Sequence, residues 1–431
     1  MVAQNKKIHR IAFALLLGLT MGCMGCGKGT ASNNGAYDNY IEDQTASGNG
    51  NTVEDDSDFI QDTETEVDTD SEEAGVNGAL DEEAWVSQTL EEMTLEEKVC
   101  QMFMVTPETL TGYTQVTAAG SVTQQALEQY PVGGMIYFSG NLLDEDQTRT
   151  MLQNTAAFAR ENHDIPIFLS VDEEGGRVAR IGNNSNFSVE KVPPMQEIGD
   201  SGDLAQAYEA GDTLGTYLSD LGFNLDYAPD ADVITNPSNT VIGDRSFGTD
   251  AECVSDMMLE VAAGLSDNSV IPCIKHFPGH GCTEGDTHQG LAYTNKTLEE
   301  LESCELVPFQ TAVDNSLPMI MVSHISVPSI VGDDTPSSLS HYMVTEVLRE
   351  KMGYDGIVIT DGMGMGAIAD NYESGEAAVL AVEAGCDILL VTNDFVVAYE
   401  SVLDAVSDGR IPETQIDASV ERILRVKYRL R

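Results

Sequence analysis

Eight short apolar runs punctuate the later part of the chain, and stretches with helical periodicity lie between them. The runs are 101–105, 134–138, 167–171, 223–227, 271–274, 319–322, 356–360 and 387–391, many of them bounded by Gly, Pro or Asp. Runs this short, with no polar alternation, suit strands buried on both faces, as in a parallel sheet covered by helices. Segments 204–221, 252–265, 298–313 and 375–384 have the period of the covering helices. Strict alternation predicts an α/β fold, and eight repeats predict a closed (β/α)8 barrel of the TIM type. Such a barrel needs about 250 residues, and 85–431 supply them as one domain. A doubly wound open sheet is the alternative, but no run is followed by the G-x-G-x-x-G turn that such sheets use to hold a dinucleotide.

In a barrel the site lies at the C-terminal ends of the strands, so the polar residues just beyond each run are the ones to inspect. They are Asp172 after the third run, Asp230 and Asp232 after the fourth, Lys275 and His276 after the fifth, His324 after the sixth and Asp361 after the seventh.

The chain before the barrel reads differently. Lys6, Lys7 and Arg10 precede an apolar stretch, 11–21, too short to span a bilayer and of the length of an export signal. It ends in Gly22-Cys23-Met24-Gly25-Cys26, which resembles a bacterial lipobox. Segment 1–26 is therefore expected to export the chain and to leave Cys23 or Cys26 carrying a membrane-anchoring lipid, with plain secretion as the alternative. Segment 27–84 is rich in Gly, Ser, Thr, Asn, Asp and Glu and is expected to be a disordered acidic linker, because it has little apolar surface to offset its chain entropy. The chain carries 72 acidic and 21 basic residues, a formal charge of −51, which excludes nucleic acid as a natural partner. The other six cysteines have no C-x-x-C spacing and read as small buried hydrophobes; their pairing is open. A monomer is expected.

Two places carry chemistry. Asp361 directly follows the β-rich run 356–360 and precedes Gly362-Met363-Gly364-Met365-Gly366. A carboxylate on a rigid strand end, beside small residues, can approach a substrate carbon as a nucleophile. An Asp there can equally cap the next helix. The loop 275–288 packs Lys275, His276, His280, Glu284, Asp286 and His288 into fourteen residues among glycines. His276, His280, Asp286 and His288 could ligate a metal, but Lys275 would repel the cation and the spacing fits no zinc motif. No metal or other cofactor is expected. The other reading is acid/base work by His288, whose imidazole titrates near neutrality, with Asp286 orienting it.

Several runs together resemble glycoside hydrolase family 3, in particular its single-domain β-N-acetylhexosaminidases. They are Leu90-Glu-Glu-Met-Thr-Leu-Glu-Glu-Lys-Val-Cys-Gln-Met102, Val171-Asp-Glu-Glu-Gly-Gly-Arg-Val178, Asn224-Leu-Asp-Tyr-Ala-Pro-Asp230 leading to Arg245-Ser-Phe-Gly248, the loop 275–288, and Ile359-Thr-Asp-Gly-Met-Gly-Met365. The resemblance implies a TIM-like barrel and a retaining double displacement, with Asp361 as nucleophile, His288 as acid/base and Asp286 as its partner. It also implies that Asp172, Arg245, Lys275 and His276 surround the hydroxyls of a carbohydrate substrate, with His324 facing the same site. Cys282, Thr287 and Gly362-Met363 depart from the family's pattern. The implied activity is release of terminal β-linked N-acetylglucosamine from peptidoglycan fragments or chitooligosaccharides. Phosphorolysis, a β-glucosidase and a non-catalytic sugar-binding lipoprotein are the alternatives.

Overall fold

The structure, a computed structural model, describes residues 81–431 except Glu284, His288, Gln289, Leu291 and the side chains of Asn162 and His163. The expected export segment and all but the end of the expected linker lie outside these residues. The linker's last residues differ from expectation, since 82–84 are helical: Asp81 accepts from the Ala84 N–H and caps helix Glu82–Glu92.

Eight parallel strands form one sheet: β1 Phe103–Val105, β2 Gly134–Ile136, β3 Phe168–Val171, β4 Leu225–Asp226, β5 Ile271–Phe277, β6 Met319–Val322, β7 Ile357–Thr360 and β8 Leu389–Leu390. Their order runs β8-β1-β2-β3-β4-β5-β6-β7. A parallel bridge between Ile359 and Ile388 joins the two ends, with Thr360 N donating to Ile388 O at 2.9 Å. The ring is the barrel expected from the eight runs, and every strand residue is buried, as strands lined by core within and helices without must be.

Two elements depart from the reading of the sequence. β5 continues past Ile274 through Lys275 and His276 to Phe277, which pairs with Val322 of β6 after a register shift. The apolar run stops first because the upper part of the barrel faces a polar cleft and needs no apolar side chains. The expected helix 298–313 is two helices, Leu298–Glu302 and Val307–Asp314. The second starts afresh with Pro308 in its first turn, where a missing N–H costs nothing.

Helices Leu204–Leu221 and Ala251–Asp267 cross at backbone distance. A Cβ on Gly211 would lie 2.2 Å from Val261 O, and one on Gly264 would lie 2.4 Å from Asp212 N. Side chains are excluded from that crossing.

The end of the barrel opposite the cleft is closed by helix Glu413–Tyr428. Its Lys427 is wholly buried, donates to Gln101 Oε1 at 2.7 Å and lies 4.9 Å from the ring centre of Phe168 at the foot of β3. Burial drives the Lys427 amine well below its usual range. Asp387, at the foot of β8, takes Arg422 at 3.2 Å and Arg349 at 2.5 Å and accepts from Val358 N at 2.8 Å. Helix Glu82–Glu92 packs beneath the same floor, with Trp85 5.8 Å from Tyr428 and Arg425 paired to Glu83.

Candidate active site

At the C-terminal ends of the strands lies a cleft of about 360 Å³. Asp172, Glu174, Arg177, Arg180, Arg245, Lys275, His276, Asp286 and Asp361 form its polar wall, and Ile136, Phe138, Val178, Met321, Met365, Leu390 and Val391 its apolar one. Six of the residues singled out in the sequence, Asp172, Arg245, Lys275, His276, Asp286 and Asp361, thus come together round one cavity. His288 lies outside the described residues.

The cleft is organised by Glu174, which the sequence alone does not distinguish from its acidic neighbours. Just beyond β3, Glu173–Gly175 and Val178–Ala179 form a short antiparallel hairpin. Strand alternation sends Glu173 one way and Glu174 the other. Glu173 is buried, accepting from the N–H groups of Ile181 and Gly182 at 2.9 and 2.8 Å and from the Tyr217 hydroxyl at 2.8 Å. Asp226 of β4, also buried, takes the Glu173 N–H at 2.9 Å. These bonds pin the hairpin over the barrel rim.

Glu174 faces the cleft and takes Arg245 in a two-pronged grip, Nε to Oε2 and Nη2 to Oε1, both at 2.8 Å. Lys275 Nζ meets Glu174 Oε1 at 2.5 Å and Asp172 Oδ1 at 3.1 Å. Burial works against the charge on Glu174, but the Arg245 and Lys275 cations outweigh it and hold the carboxyl far below the usual carboxylate range. Burial likewise works against the charge on Lys275, and Glu174 and Asp172 reverse it, so its pKa is raised. Arg180, also missed, lies 3.6 Å from Asp172 Oδ2. Arg245 spends further N–H groups on Val241 O at 3.3 Å and His276 Nε2 at 3.2 Å. Most of its donors therefore hold the scaffold, which leaves Asp172, Lys275 and one edge of the guanidinium to meet a ligand.

Behind this layer are two buried carboxylates. Asp232 Oδ2 lies 2.7 Å from His276 Nδ1, and its Oδ1 accepts the His280 N–H. Asp230 Oδ1 accepts the Asp232 N–H at 2.8 Å. Burial, then repulsion from Asp232, pushes Asp230 up to about 8, and burial pushes Asp232 up to about 6. Burial, reinforced by Arg245, pushes His276 down to about 4. Asp230, Asp232 and His276 bring three possible metal-ligand atoms within 4.8 Å of one another. Arg245 is the cation that faces them, 3.5 Å from Asp230 Oδ2. His280, another residue weighed as a ligand, turns its nitrogens to the hydroxyls of Thr283 at 2.9 Å and Thr287 at 3.4 Å. It is an internal strut of the loop.

Asp361 leaves β7 with its N–H on Val322 O at 2.9 Å, and its Oδ1 accepts the Gly362 N–H at 2.7 Å. His324 does not line the cleft. It is fully buried, with Nδ1 2.7 Å from Ser338 Oγ and Nε2 3.0 Å from Gly362 O, so it braces the turn that follows Asp361. Val391, at the top of β8, lines the cleft with φ of 48°, a conformation rare for a β-branched residue.

The model of the glycosyl hydrolase family 3 N-terminal domain matches residues 94–426. The chain belongs to this family. As a family 3 member it is a glycoside hydrolase, and the resemblance read from its motifs is borne out. Beta-hexosaminidase LpqI of Mycobacterium tuberculosis is 34% identical over 313 residues, which cover 70% of this chain and 78% of that protein. Beta-hexosaminidase A of Pseudoalteromonas piscicida is 29% identical over 333 residues, and this family 3 chain spans 55% of its length. A solved family 3 β-N-acetylglucosaminidase from Paenibacillus sp. str. FPU-7 is 37% identical, with a TM-score of 0.73 over 78% of this chain and 62% of that one.

Proposed function

We propose that the chain is a retaining, exo-acting β-N-acetylglucosaminidase that removes terminal non-reducing β-linked N-acetylhexosamine from peptidoglycan fragments or chitooligosaccharides. The observation that carries the reading is that Asp361, on the end of β7, and Asp286, on the loop after β5, both reach the cleft lined by Asp172 and Lys275. Relatives named beta-hexosaminidase support the class of sugar.

In this reading Asp172, Lys275 and Arg245 bind hydroxyls of the terminal sugar through charge-assisted hydrogen bonds, which orient the ring. A carboxylate oxygen of Asp361 attacks the anomeric carbon as the bond to the leaving oxygen breaks. His288, partnered by Asp286, gives that oxygen its proton. The same imidazole then takes a proton from water, which displaces Asp361 and restores the β-configuration. Asp361 is held for this by the Gly362 N–H and by a turn braced on His324.

The reading is tested by comparing release of a chromogenic aglycone from the β-N-acetylglucosaminide and the β-glucoside. Preference for the first is expected, and preference for the second overturns the sugar assignment. Proton NMR of the first product is expected to show the β-anomer; the α-anomer overturns retention. The chain is further proposed to work outside the membrane on a lipid carried by Cys23 or Cys26. Membrane fractionation of the Cys23→Ser, Cys26→Ser and double variants tests this, and a double variant that still sediments with membranes overturns it.

A further inference from the structure

We propose that Asp232 is a positioning residue that fixes the tautomer of His276 and, with the same carboxylate, seats the root of the loop that carries Asp286. The inference starts from Arg245. A guanidinium has only donors, so the 3.2 Å contact between Arg245 Nη2 and His276 Nε2 requires Nε2 to be the accepting, unprotonated nitrogen. The two-pronged grip of Glu174 keeps the guanidinium in that place. The ring proton then resides on Nδ1, from which it is donated to Asp232 Oδ2 at 2.7 Å. Asp232 is wholly buried and His276 is 7% exposed, so little solvent reaches this bond to compete for it. The other titratable or charged groups that act on the ring are Asp230, 3.8 Å from Nδ1 and itself beside Arg245, Lys275, which precedes it in the chain, and Asp361 across the cleft. The Nδ1 bond is made to Asp232.

The second oxygen of Asp232 accepts the His280 N–H, and Asn239 Nδ2 donates to His280 O at 2.8 Å. Residue 280 is thus held at both its N–H and its carbonyl, just before the segment that brings Asp286 to the cleft. One carboxylate ties the imidazole in the cleft wall to the base of that loop. Its loss should misplace the lone pair on His276 and loosen the loop root together.

Asp232→Asn is the discriminating change. Its amide oxygen can still accept from His280 N–H, but its NH2 then faces Nδ1 and calls for the opposite tautomer, which sets Nε2–H against Arg245. Nitrogen-15 NMR of histidine-labelled protein, with His276 assigned through His276→Asn, is expected to show Nδ1 protonated in the native protein and in Asp232→Glu, and that pattern lost in Asp232→Asn. An Nε2-protonated His276 in the native protein overturns the proposal. This measurement needs no substrate, so it separates from the proposed activity, on which only the kinetic arm rests. In that arm kcat/KM for the chromogenic β-N-acetylglucosaminide is expected to fall at least tenfold in Asp232→Asn, and His276→Asn is expected to absorb most of that loss in the double variant. Losses that multiply independently point to a general folding role and overturn the proposal.

Discussion

Glu174 lies 2% exposed between two cations, and a buried ion cluster of this kind reacts far more to loss of one member than its net contribution suggests. Removing the anion leaves Arg245 and Lys275 desolvated and close together, with Asp172, 3.1 Å from Lys275, left to compensate. Glu174→Gln should therefore destabilise the fold by about 3–5 kcal/mol, read as a lower urea midpoint. It should also lower kcat/KM, because Arg245 and Lys275 lose their common anchor. A stability change within error would show that the cations find other partners. The importance of Glu174 was not legible in the sequence for a physical reason. Asp172, Glu173 and Glu174 are consecutive acids, and only the hairpin decides that Glu174 joins Asp172 in the cleft while Glu173 turns towards Tyr217. Asp361 and Lys275 were legible because each directly follows an apolar run. His324 follows one too, yet it is buried against Ser338 Oγ and Gly362 O behind the lining of the cleft; position beyond a strand does not by itself bring a side chain to the cavity.

At the scale of elements, the crossing of helices Leu204–Leu221 and Ala251–Asp267 leaves no room for a side chain. Both helices were legible from their period, but the crossing was not, because a glycine in a helical pattern reads first as a weak helix former. Gly264→Ala would set a methyl 2.4 Å from the Asp212 backbone nitrogen, and backbone cannot swing aside as a side chain can. The helices must separate, at a cost of about 1–3 kcal/mol or more. Gly140→Ala is the matched control, with nothing within 4 Å of its new carbon and an expected effect within about 0.5 kcal/mol. Thermal melts of the pair check the contrast, and equal Tm values would refute it. Extension of β5 through Lys275 and His276 belongs to the same scale. Apolar runs mark strands only where strands line a core, so the end of a strand beside a polar cleft is hidden from such a reading.

For the molecule as a whole, buried titrating groups set how stability varies with pH. Asp230, pushed up to about 8 mainly by burial and by Asp232, keeps its proton in the fold at pH values where the unfolded chain has lost it. Its stabilising contribution is complete below the ordinary Asp pKa and is lost as pH rises towards 8. Asp232 acts the same way up to about 6, and buried Asp226, also raised, adds to the trend. His276 and His280, pushed down to about 4 and 3 by burial first, oppose it, because stability they contribute above pH 6.5 is lost as pH falls. The opposing slopes overlap below about 6.5 and leave the carboxyls alone above it. Stability should therefore decline between pH 6.5 and 8, by on the order of 1–2 kcal/mol for Asp230. Asp230→Asn should flatten that decline in urea titrations across the range, and an unchanged slope would place the proton elsewhere.

The closed floor of the barrel also sets a direction. Helix Glu82–Glu92 runs beneath helix Glu413–Tyr428, on the side away from the cleft, so the polypeptide preceding Asp81 enters the fold at its base. Any attachment made through those earlier residues joins the barrel on the side away from the cleft. The mouth lies at the other end, so a chain of sugars can enter it without passing the point where the polypeptide joins the barrel.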